Sequence, residues 1–392
     1  MKIFHLSDLH IGKMLHRYDI SDIQKDVFGQ IIETVKKHRP DVIVIAGDIY
    51  DKAAPSGEAF DIFDDFLVSL ASLEFEVQVM IISGNHDNNQ RLGYASSFMK
   101  KSKIHIASKP PRREEEYLMK ITLEDDYGEV DFYLLPFVRP ADARNLLGND
   151  VTIKNYDRAV AVILERENID YSKRNVLVAH QFFVNSNNAP VRRDSEMSYI
   201  SVGGIDSVDI CHVKEFDYVA LGHLHSAQSV GEDYIRYCGT PIKYSVSEAN
   251  DEKCITVIDL KEKNTPPDIS FVPLRMNKDV KKIKGTLKEL IERSREFKDD
   301  YVSLTVTDEE VLFRPKEKLG ECYNNILEVI VDNTRTRAFI QNDMGDAVLA
   351  DPLTLFEEFY FEMNGQQMSD NELELLNEIV DEVTKNADGR PE

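Results

Sequence analysis

Five short polar clusters carry the side chains of this sequence that are best suited to metal or phosphate chemistry. Each places aspartate, histidine or asparagine directly after an apolar run. A single histidine after a strand is usually a packing or capping residue, and Asp48 alone could close an Asx turn or cap a helix. A set of five is hard to explain in that way. The clusters are SDLHIG (7–12), AGDIYD (46–51), SGNHD (83–87), AHQFF (179–183) and LGHLHS (221–226).

The residue types of these clusters favour a particular class of metal site. Carboxylates, imidazoles and an amide, without cysteine, favour manganese, iron or zinc over a thiolate-bound structural ion. Two ions are favoured over one, because the supply of ligands exceeds four. Two ions roughly 3.5–4 Å apart share a bridging carboxylate and suit in-line displacement at phosphorus by an activated water.

Such a site requires a fold that brings several strand ends together. Strand-like apolar runs alternate with amphipathic stretches at 20–38 and 56–73, which predicts parallel strands covered by helices. In such sheets the carboxyl ends of the strands open into a crevice, where catalytic residues are commonly found. The strand-like runs are 2–6, 41–47, 77–83, 131–136, 174–180, 216–223, 234–239 and 254–260.

The pattern changes near residue 264, where NTPPDISFVPLRM (264–276) is expected to form an exit strand. The following segment predicts a strand at 280–284, a helix at 286–294, a strand at 301–307 and a helix at 315–331. Residues 352–383 predict two helices separated at Gly365. We therefore expect a large domain at 1–276, a small α+β domain at 277–345 and a C-terminal helical tail at 346–392.

Composition is that of an ordinary globular protein, with 42% hydrophobic and 30% charged residues. No stretch approaches the roughly 20 apolar residues of a membrane span. The four cysteines form no CxxC pair, and the N-terminus is already strand-like, so a cytoplasmic location is expected. The net charge of −23 opposes DNA binding, because affinity comes mostly from basic residues that neutralise phosphates. A DNA substrate would therefore require metal ions or a more basic partner.

The five clusters, D-x-H, GD, GNHD, H and GHxH, resemble in order and type those of the calcineurin-like metallophosphoesterase family over roughly residues 1–260. HLSDLHIGK, GDIYDKAAPS and YCGTPIKYS, with the small domain and the tail, more narrowly resemble the bacterial SbcD nuclease family. Its members act with the SbcC ATPase. The resemblance implies an α/β fold, a four-layer αββα sandwich, with a small α+β capping domain and a C-terminal helical tail.

The resemblance also implies roles for particular residues. His86 would face the scissile phosphate as an acid or transition-state stabiliser and would not bind metal. Asp87 would either orient that imidazole or cap a helix at 90–99. The ions are typically manganese in the family, with Asp48 bridging. One ion would be held by Asp8, His10, Asp48 and His225, and the other by Asp48, Asn85, His180 and His223.

By the same resemblance the protein would be a duplex exonuclease and a hairpin or single-strand endonuclease in DNA repair and recombination. Two copies would join two SbcC-type ATPase subunits, which gives a homodimer within a heterotetramer. The apolar faces of the tail would pack on the coiled coil of the ATPase or fold back on the small domain. They comprise Leu353, Leu355, Phe356, Phe359, Tyr360, Leu373, Leu375, Leu376, Ile379 and Val380.

Two other functions stay open from the sequence. A metallophosphoesterase acting on small phosphoesters, nucleotides or phosphoproteins would share the whole metal core. A scaffold without metal would keep the fold, although such proteins usually lack several ligands and none is missing here. Tyr18, Phe182 and Phe183 could stack on bases, although core packing is the more common role of such residues.

Overall fold

Two six-stranded sheets form the centre of the computed structural model, which describes residues 1–148, 152–185, 190–199, 207–310, 314–334, 336, 360, 368–369, 372–373 and 376. The strands, in chain order, are β1 (Lys2–Leu6), β2 (Met14–Leu15), β3 (Tyr18–Asp19), β4 (Val42–Ala46), β5 (Gln78–Ile82), β6 (Ile104–Ala107), β7 (Met119–Asp125), β8 (Gly128–Leu135), β9 (Arg174–His180), β10 (Phe182–Val184), β11 (Ser207–Asp209), β12 (Tyr218–Gly222), β13 (Gln228–Val230), β14 (Glu232–Tyr237), β15 (Cys254–Asp259), β16 (Asp268–Pro273), β17 (Val280–Gly285), β18 (Tyr301–Val306) and β19 (Asn325–Val331). The α-helices are α1 (Ser21–His38), α2 (Gly57–Ala71), α3 (Asn89–Leu92), α4 (Ser96–Met99), α5 (Pro140–Leu146), α6 (Tyr156–Arg166), α7 (Leu287–Arg293) and α8 (Pro315–Gly320).

Parallel strands form the middle of both sheets. The first sheet has the order β16-β15-β1-β4-β5-β6, and β1, β4, β5 and β6 run parallel. The second has the order β13-β14-β12-β9-β8-β7, and β14, β12, β9 and β8 run parallel. Both faces of the central strands β4, β5, β9 and β12 are covered, which explains why their sequences are nearly continuous apolar runs.

The layers stack as helix, sheet, sheet, helix. Between the sheets, Val42 and Val44 of β4 share a buried core with Phe132 of β8 and Val176 of β9. Helices α1 and α2 pack on the outer face of the first sheet, and α6 packs on the outer face of the second. The expected four-layer αββα sandwich is therefore confirmed.

A separate three-stranded sheet follows the sandwich, and two sequence predictions, one in this sheet and one in the sandwich, need correction. The helix predicted at 315–331 ends at Gly320, and β19 pairs parallel with β18 instead. The β-branched run 329–331 favours that strand. The helix predicted at 90–99 is split into α3 and α4 around Ala95, whose φ is +58°. Helices α7 and α8 cover the small sheet through Leu290 and Leu319.

Most of the predicted tail lies outside the described residues. Of 346–392, only residues 360, 368–369, 372–373 and 376 are described. The two amphipathic helices expected at 352–383 therefore stay a prediction. Among the helices in the described part of the chain, none has the length and apolar character needed to cross a bilayer.

Candidate metal centre

The five polar clusters lie where strands of the two sheets end, and they meet in one crevice. Asp8 follows β1, Asp48 follows β4 and Asn85 follows β5, all in the first sheet. His180 ends β9 and His223 follows β12, both in the second sheet. The two sheets thus contribute facing sets of side chains, as expected for the carboxyl ends of parallel strands.

The backbone of these loops is strained at candidate ligands. Positive φ angles occur at Asp8 (52°), His10 (42°), Asp48 (50°) and His223 (103°). For a residue other than glycine this conformation is uncommon, and it persists only where the surrounding structure enforces it. Such strain is concentrated at functional sites, and here it marks the loops that carry the chemistry.

Two glycines allow the loops to approach each other closely. A Cβ atom at Gly84 would lie 2.1 Å from Oδ1 of Asp48. A Cβ atom at Gly222 would lie 1.9 Å from the carbonyl oxygen of Ala46 and 2.7 Å from Nδ1 of His180. Any larger residue would push the ligand loops apart, which explains why glycine stands at both positions.

Asp8, His10 and His225 form the first half of the centre. Their ligand atoms all lie within 4.8 Å of one another, and all three side chains are buried. Nε2 of His10 lies 3.1 Å from Nε2 of His225. Burial, above all, holds the pKa of His10 well below its usual range, so the imidazole is neutral. Buried imidazole nitrogens that converge beside a carboxylate are a donor set that fits a divalent cation.

Asn85, His180 and His223 form the second half. Oδ1 of Asn85 lies 3.1 Å from Nε2 of His180 and 3.0 Å from Nδ1 of His223. Nδ1 of His180 lies 2.7 Å from the carbonyl oxygen of Ala46. A proton on Nδ1 satisfies that carbonyl, so loss of the Nε2 proton to a bound cation would leave the Nε2 lone pair directed at the crevice.

Asp48 lies between the two halves. Its Oδ2 atom is 3.7 Å from Nε2 of His10 and 3.4 Å from Nε2 of His180. Burial lowers the pKa of His180, but the Asp48 carboxylate outweighs that effect and raises it to about 9. Burial would in turn raise the pKa of Asp48, yet His180 and neighbouring histidines hold it well below its usual range. The Asp48 carboxylate is thus ionised and lies close to both His10 and His180.

A polar chain that runs from Ser195 to the buried Glu248 and Lys253 supports His225 from behind. Oγ of Ser195 lies 2.7 Å from Nδ1 of His225 and donates to Oε1 of Glu248 at 2.7 Å. Lys253 pairs with Oε2 of Glu248 at 2.6 Å. Burial would raise the pKa of Glu248, but Lys253 holds it well below its usual range. An ionised Glu248 orients the Ser195 hydroxyl, which then accepts from Nδ1–H of His225 and leaves Nε2 facing His10.

His86 lies at the edge of the first half and lines the crevice. Its ring is 4.9 Å from that of His10, and its Nε2 is 4.0 Å from Oδ2 of Asp48. Nδ1 lies 2.8 Å from the carbonyl oxygen of Asp51, so that carbonyl orients the ring. His86, His10 and Asp48 also offer ligand atoms within 4.8 Å of one another.

Both sequence-based roles for Asp87 are wrong. Its carboxylate accepts from the backbone N–H groups of Ile49 at 3.1 Å, Tyr50 at 3.0 Å and Gly84 at 2.9 Å. Asn88, one residue later, caps α3. Asp87 therefore ties the loop that carries Asp48 to the loop that carries Asn85. Burial, above all, and then the Asp48 charge raise its pKa to about 6.

Sequence reasoning missed several residues around the crevice. Ser195 and Glu248 lie outside the five clusters, although Glu248 comes shortly after YCGTPIKYS. Arg139 and Arg192 line a cavity of about 410 Å³ together with Asp48, Asn85 and His86. Of the three aromatic residues considered, Phe182 also lines this cavity, Phe183 is fully buried, and Tyr18 donates to the carbonyl of Ile326 at 3.1 Å.

The αββα sandwich and its crevice of carboxylate, imidazole and amide donors define a metallophosphoesterase. Residues 1–227 match the family model described as calcineurin-like phosphoesterase. Residues 276–364 match one described as type 5 capsule protein repressor C-terminal domain.

Two relatives that match nearly the whole chain identify a more specific family within the metallophosphoesterases. The chain is 31% identical over 376 residues to the SbcD subunit of the SbcCD nuclease of Staphylococcus epidermidis, covering 94% of this chain and 95% of that protein. It is 27% identical over 384 residues to the protein of the same name from Staphylococcus saprophyticus, covering 97% and 98%. A solved structure of a phosphopantetheinyl hydrolase from Mycobacterium tuberculosis is 16% identical to this chain, with a TM-score of 0.32. The match covers 61% of this chain and 90% of that chain. The chain belongs to the calcineurin-like phosphoesterase family and, within it, to the SbcD family of nuclease subunits. It is a metal-dependent phosphodiesterase.

Proposed function

We propose that the protein is the nuclease subunit of an SbcCD-type complex and hydrolyses DNA phosphodiester bonds with two metal ions. It would act as a duplex exonuclease and as a hairpin or single-strand endonuclease. The observation that carries the proposal is the position of Asp48, whose Oδ2 atom lies within 4 Å of Nε2 of both His10 and His180. One carboxylate can therefore serve two adjacent ions.

In this proposal the two halves of the crevice hold one divalent ion each, most simply Mn²⁺. The oxygen and nitrogen donors and the lack of cysteine fit that ion. Bound ions would activate a water molecule and neutralise charge on the phosphoryl oxygens. The assigned ligands are Asp8, His10, Asp48 and His225 for one ion, and Asp48, Asn85, His180 and His223 for the other.

His86 is assigned as the acid that protonates the leaving oxygen. The Asp51 carbonyl, 2.8 Å from Nδ1, accepts from a protonated Nδ1 and directs the second N–H of an imidazolium into the cavity. This is the arrangement that a general acid requires, because the donated proton must point at the substrate. Since Nδ1 is engaged by a backbone carbonyl, the ring can pass its Nε2 proton without turning.

We divide the chain into a nuclease domain at 1–276, a small α+β capping domain at 277–345 and a partner-binding tail at 346–392. The capping domain and the tail would serve assembly. The DNA-binding surface of an SbcC-type ATPase would compensate for the net charge of −23. Two copies of each subunit would form a heterotetramer, as in the sequence-based expectation.

The proposal is tested by incubating the full chain with Mn²⁺ and linear duplex DNA, hairpin DNA or cyclic nucleotides. Each reaction is run with and without the partner ATPase. We expect Mn²⁺-dependent cleavage of the DNA substrates and faster duplex degradation with the ATPase. Hydrolysis of the cyclic nucleotides alone would replace the DNA function with one on small phosphoesters. Asp48→Ala serves as the inactive control.

A further inference from the structure

An aromatic ring and a guanidinium lie beside His180. Phe137 and Arg139 follow β8, and the Phe137 ring centroid is 6.3 Å from that of His180. The guanidinium of Arg139 lies over the Phe137 ring at 5.8 Å from its centroid. Arg139 is exposed and lines the cavity of the metal centre. The ring thus supports a positive charge at the mouth of the crevice.

A second pair of the same kind lies beside His223. The Phe182 ring centroid is 6.3 Å from that of His223, and the Arg192 guanidinium lies 3.7 Å from the Phe182 centroid. Arg192 is exposed and lines the same cavity. Arg192 is therefore placed beside the second half of the centre through the Phe182 ring.

The two pairs flank adjacent histidines. The rings of His180 and His223 are 5.3 Å apart, and both approach Oδ1 of Asn85. A phosphodiester held at this half of the centre would thus have a guanidinium on the side of each histidine. A planar guanidinium supported by an aromatic ring is suited to bidentate binding of phosphate. Because the net charge of the chain is −23, a polyanion would be attracted mainly by local cationic side chains such as these two arginines.

We propose that the Phe137–Arg139 and Phe182–Arg192 pairs are two phosphate subsites, which bind the phosphates on either side of the scissile one in a single nucleic-acid strand. The inference rests on the proposed nuclease function and deepens it. It makes the substrate a chain of at least three phosphates. A substrate with a single phosphodiester would use the metal ions alone and gain little from either arginine.

The first test measures binding without catalysis. Fluorescent oligothymidylate is titrated into the full-length protein in EDTA at several low salt concentrations. Arg139→Gln and Arg192→Gln should each reduce the slope of log K against log salt by about 0.7, the value for one single-strand phosphate contact. Arg113→Gln removes the same charge from an exposed arginine that does not line the cavity, and it should keep the wild-type slope.

The second test compares two substrates with Mn²⁺ present. For oligothymidylate, each of the two variants should raise KM by about tenfold or more, as expected for a lost charged hydrogen bond. For bis(p-nitrophenyl) phosphate the change in KM should stay below about threefold. Arg139→Lys and Arg192→Lys should recover the salt slope but only part of the KM, since lysine cannot bind phosphate bidentately.

Several results would overturn the subsites. These are unchanged salt slopes in both variants, an equal KM loss on both substrates, an equal loss in Arg113→Gln, or no wild-type binding in EDTA despite nuclease activity. Thermal unfolding of each variant shows whether a loss reflects misfolding, and the lysine variants then carry the test. A wild-type protein that cleaves cyclic nucleotides and no DNA would instead contradict the proposed function.

Discussion

The two halves of the candidate metal centre are held by different kinds of groups. In the first half, His225 is oriented by side chains, through Ser195 to the buried Glu248–Lys253 pair. In the second half, His180 is oriented by a backbone carbonyl, that of Ala46 at 2.7 Å. The first arrangement depends on rotamers and the second on the path of the main chain.

This difference predicts how each half responds to change. Removing one side chain behind His225 should loosen the first half alone, because the main chain there stays in place. In the second half, Nδ1 of His180 contacts a backbone carbonyl and no supporting side chain within the described residues. This half depends on glycines such as Gly222 and on Asp87, which fixes two loops through backbone N–H groups. Asp48 belongs to both halves, so its removal should weaken both ion sites together.

Asp48→Ala should therefore have the largest effect. It deletes the carboxylate near both His10 and His180, and it also removes the acceptor for the His86 backbone N–H at 2.9 Å. Each ion contributes several kcal/mol, and about 1.4 kcal/mol corresponds to tenfold in rate. We expect phosphodiesterase activity below about a thousandth of wild type. Calorimetric titration with Mn²⁺ should show both sites weakened, and one site of wild-type affinity would exclude a bridging role.

His86→Ala should reduce activity next most strongly, while leaving the metal ions bound. Loss of a general acid lowers kcat by roughly 10²–10⁴-fold. Because the metal ligands are untouched in this proposal, the Mn²⁺ stoichiometry should stay at the wild-type value. Steady-state kinetics and metal analysis of the purified variant check both parts.

The His86→Ala variant also tests whether His86 belongs to the first half as a ligand. His86 offers a ligand atom within 4.8 Å of those of His10 and Asp48. If the variant lost one Mn²⁺, His86 would be a ligand of the first half and not an acid. Because His86 directly follows Asn85 in the sequence, one loop would then supply a ligand to each half.

These residues also show how far the sequence could be interpreted. Strand ends and donor types are local properties, so Asp8, Asp48 and Asn85 could be placed at the crevice from the apolar runs before them. The role of Asp87 could not, because its partners at Ile49 and Tyr50 come from another loop. The chain from Ser195 to Glu248 spans distant segments for the same reason. The sequence predicts helix at 325–331, where the structure has β19, because pairing with β18 is a tertiary contact.

Asp87 gives a pH test of the backbone-held half. Its folded pKa of about 6 lies above the ordinary value of 3.8. The stability that it contributes is present below about pH 4 and is lost as pH rises through 6, because the native state must then bury a charge. Through Asp87 alone, the metal-free protein should lose roughly 3 kcal/mol of unfolding free energy over this range. His10 and His223 have depressed pKa values in the folded state and therefore change stability in the opposite direction. Urea unfolding of wild type and Asp87→Asn from pH 4 to 7 isolates the Asp87 contribution as the difference between the two profiles.

Asp87→Asn should remove the Asp87 contribution, so its stability relative to wild type should rise by roughly 3 kcal/mol from pH 4 to 7, since the amide does not ionise. Asp61→Asn, which changes an exposed aspartate of α2, should keep the wild-type profile. If wild type and Asp87→Asn had the same profile of stability against pH, the buried charge would belong to a group other than Asp87.

Ser195→Ala tests the side-chain-held half and should have the smallest effect. It cuts the contact from Glu248 to His225 but leaves every assigned ligand in place. Loss of such a supporting hydrogen bond typically lowers metal affinity by roughly 10–100-fold. In a two-site Mn²⁺ titration, one site should weaken by this factor and the other should keep its affinity, because His180 is oriented by the main chain.

The controls separate orientation from packing. Ser195→Thr keeps the hydroxyl and should restore the weakened site, whereas a packing defect would persist. Ser247→Ala removes a neighbouring hydroxyl that contacts the Asp194 backbone and Ser245, and it should leave both sites unchanged. If Ser195→Ala weakened both sites equally, the halves would share one support, and a single side chain would control the whole centre through Asp48.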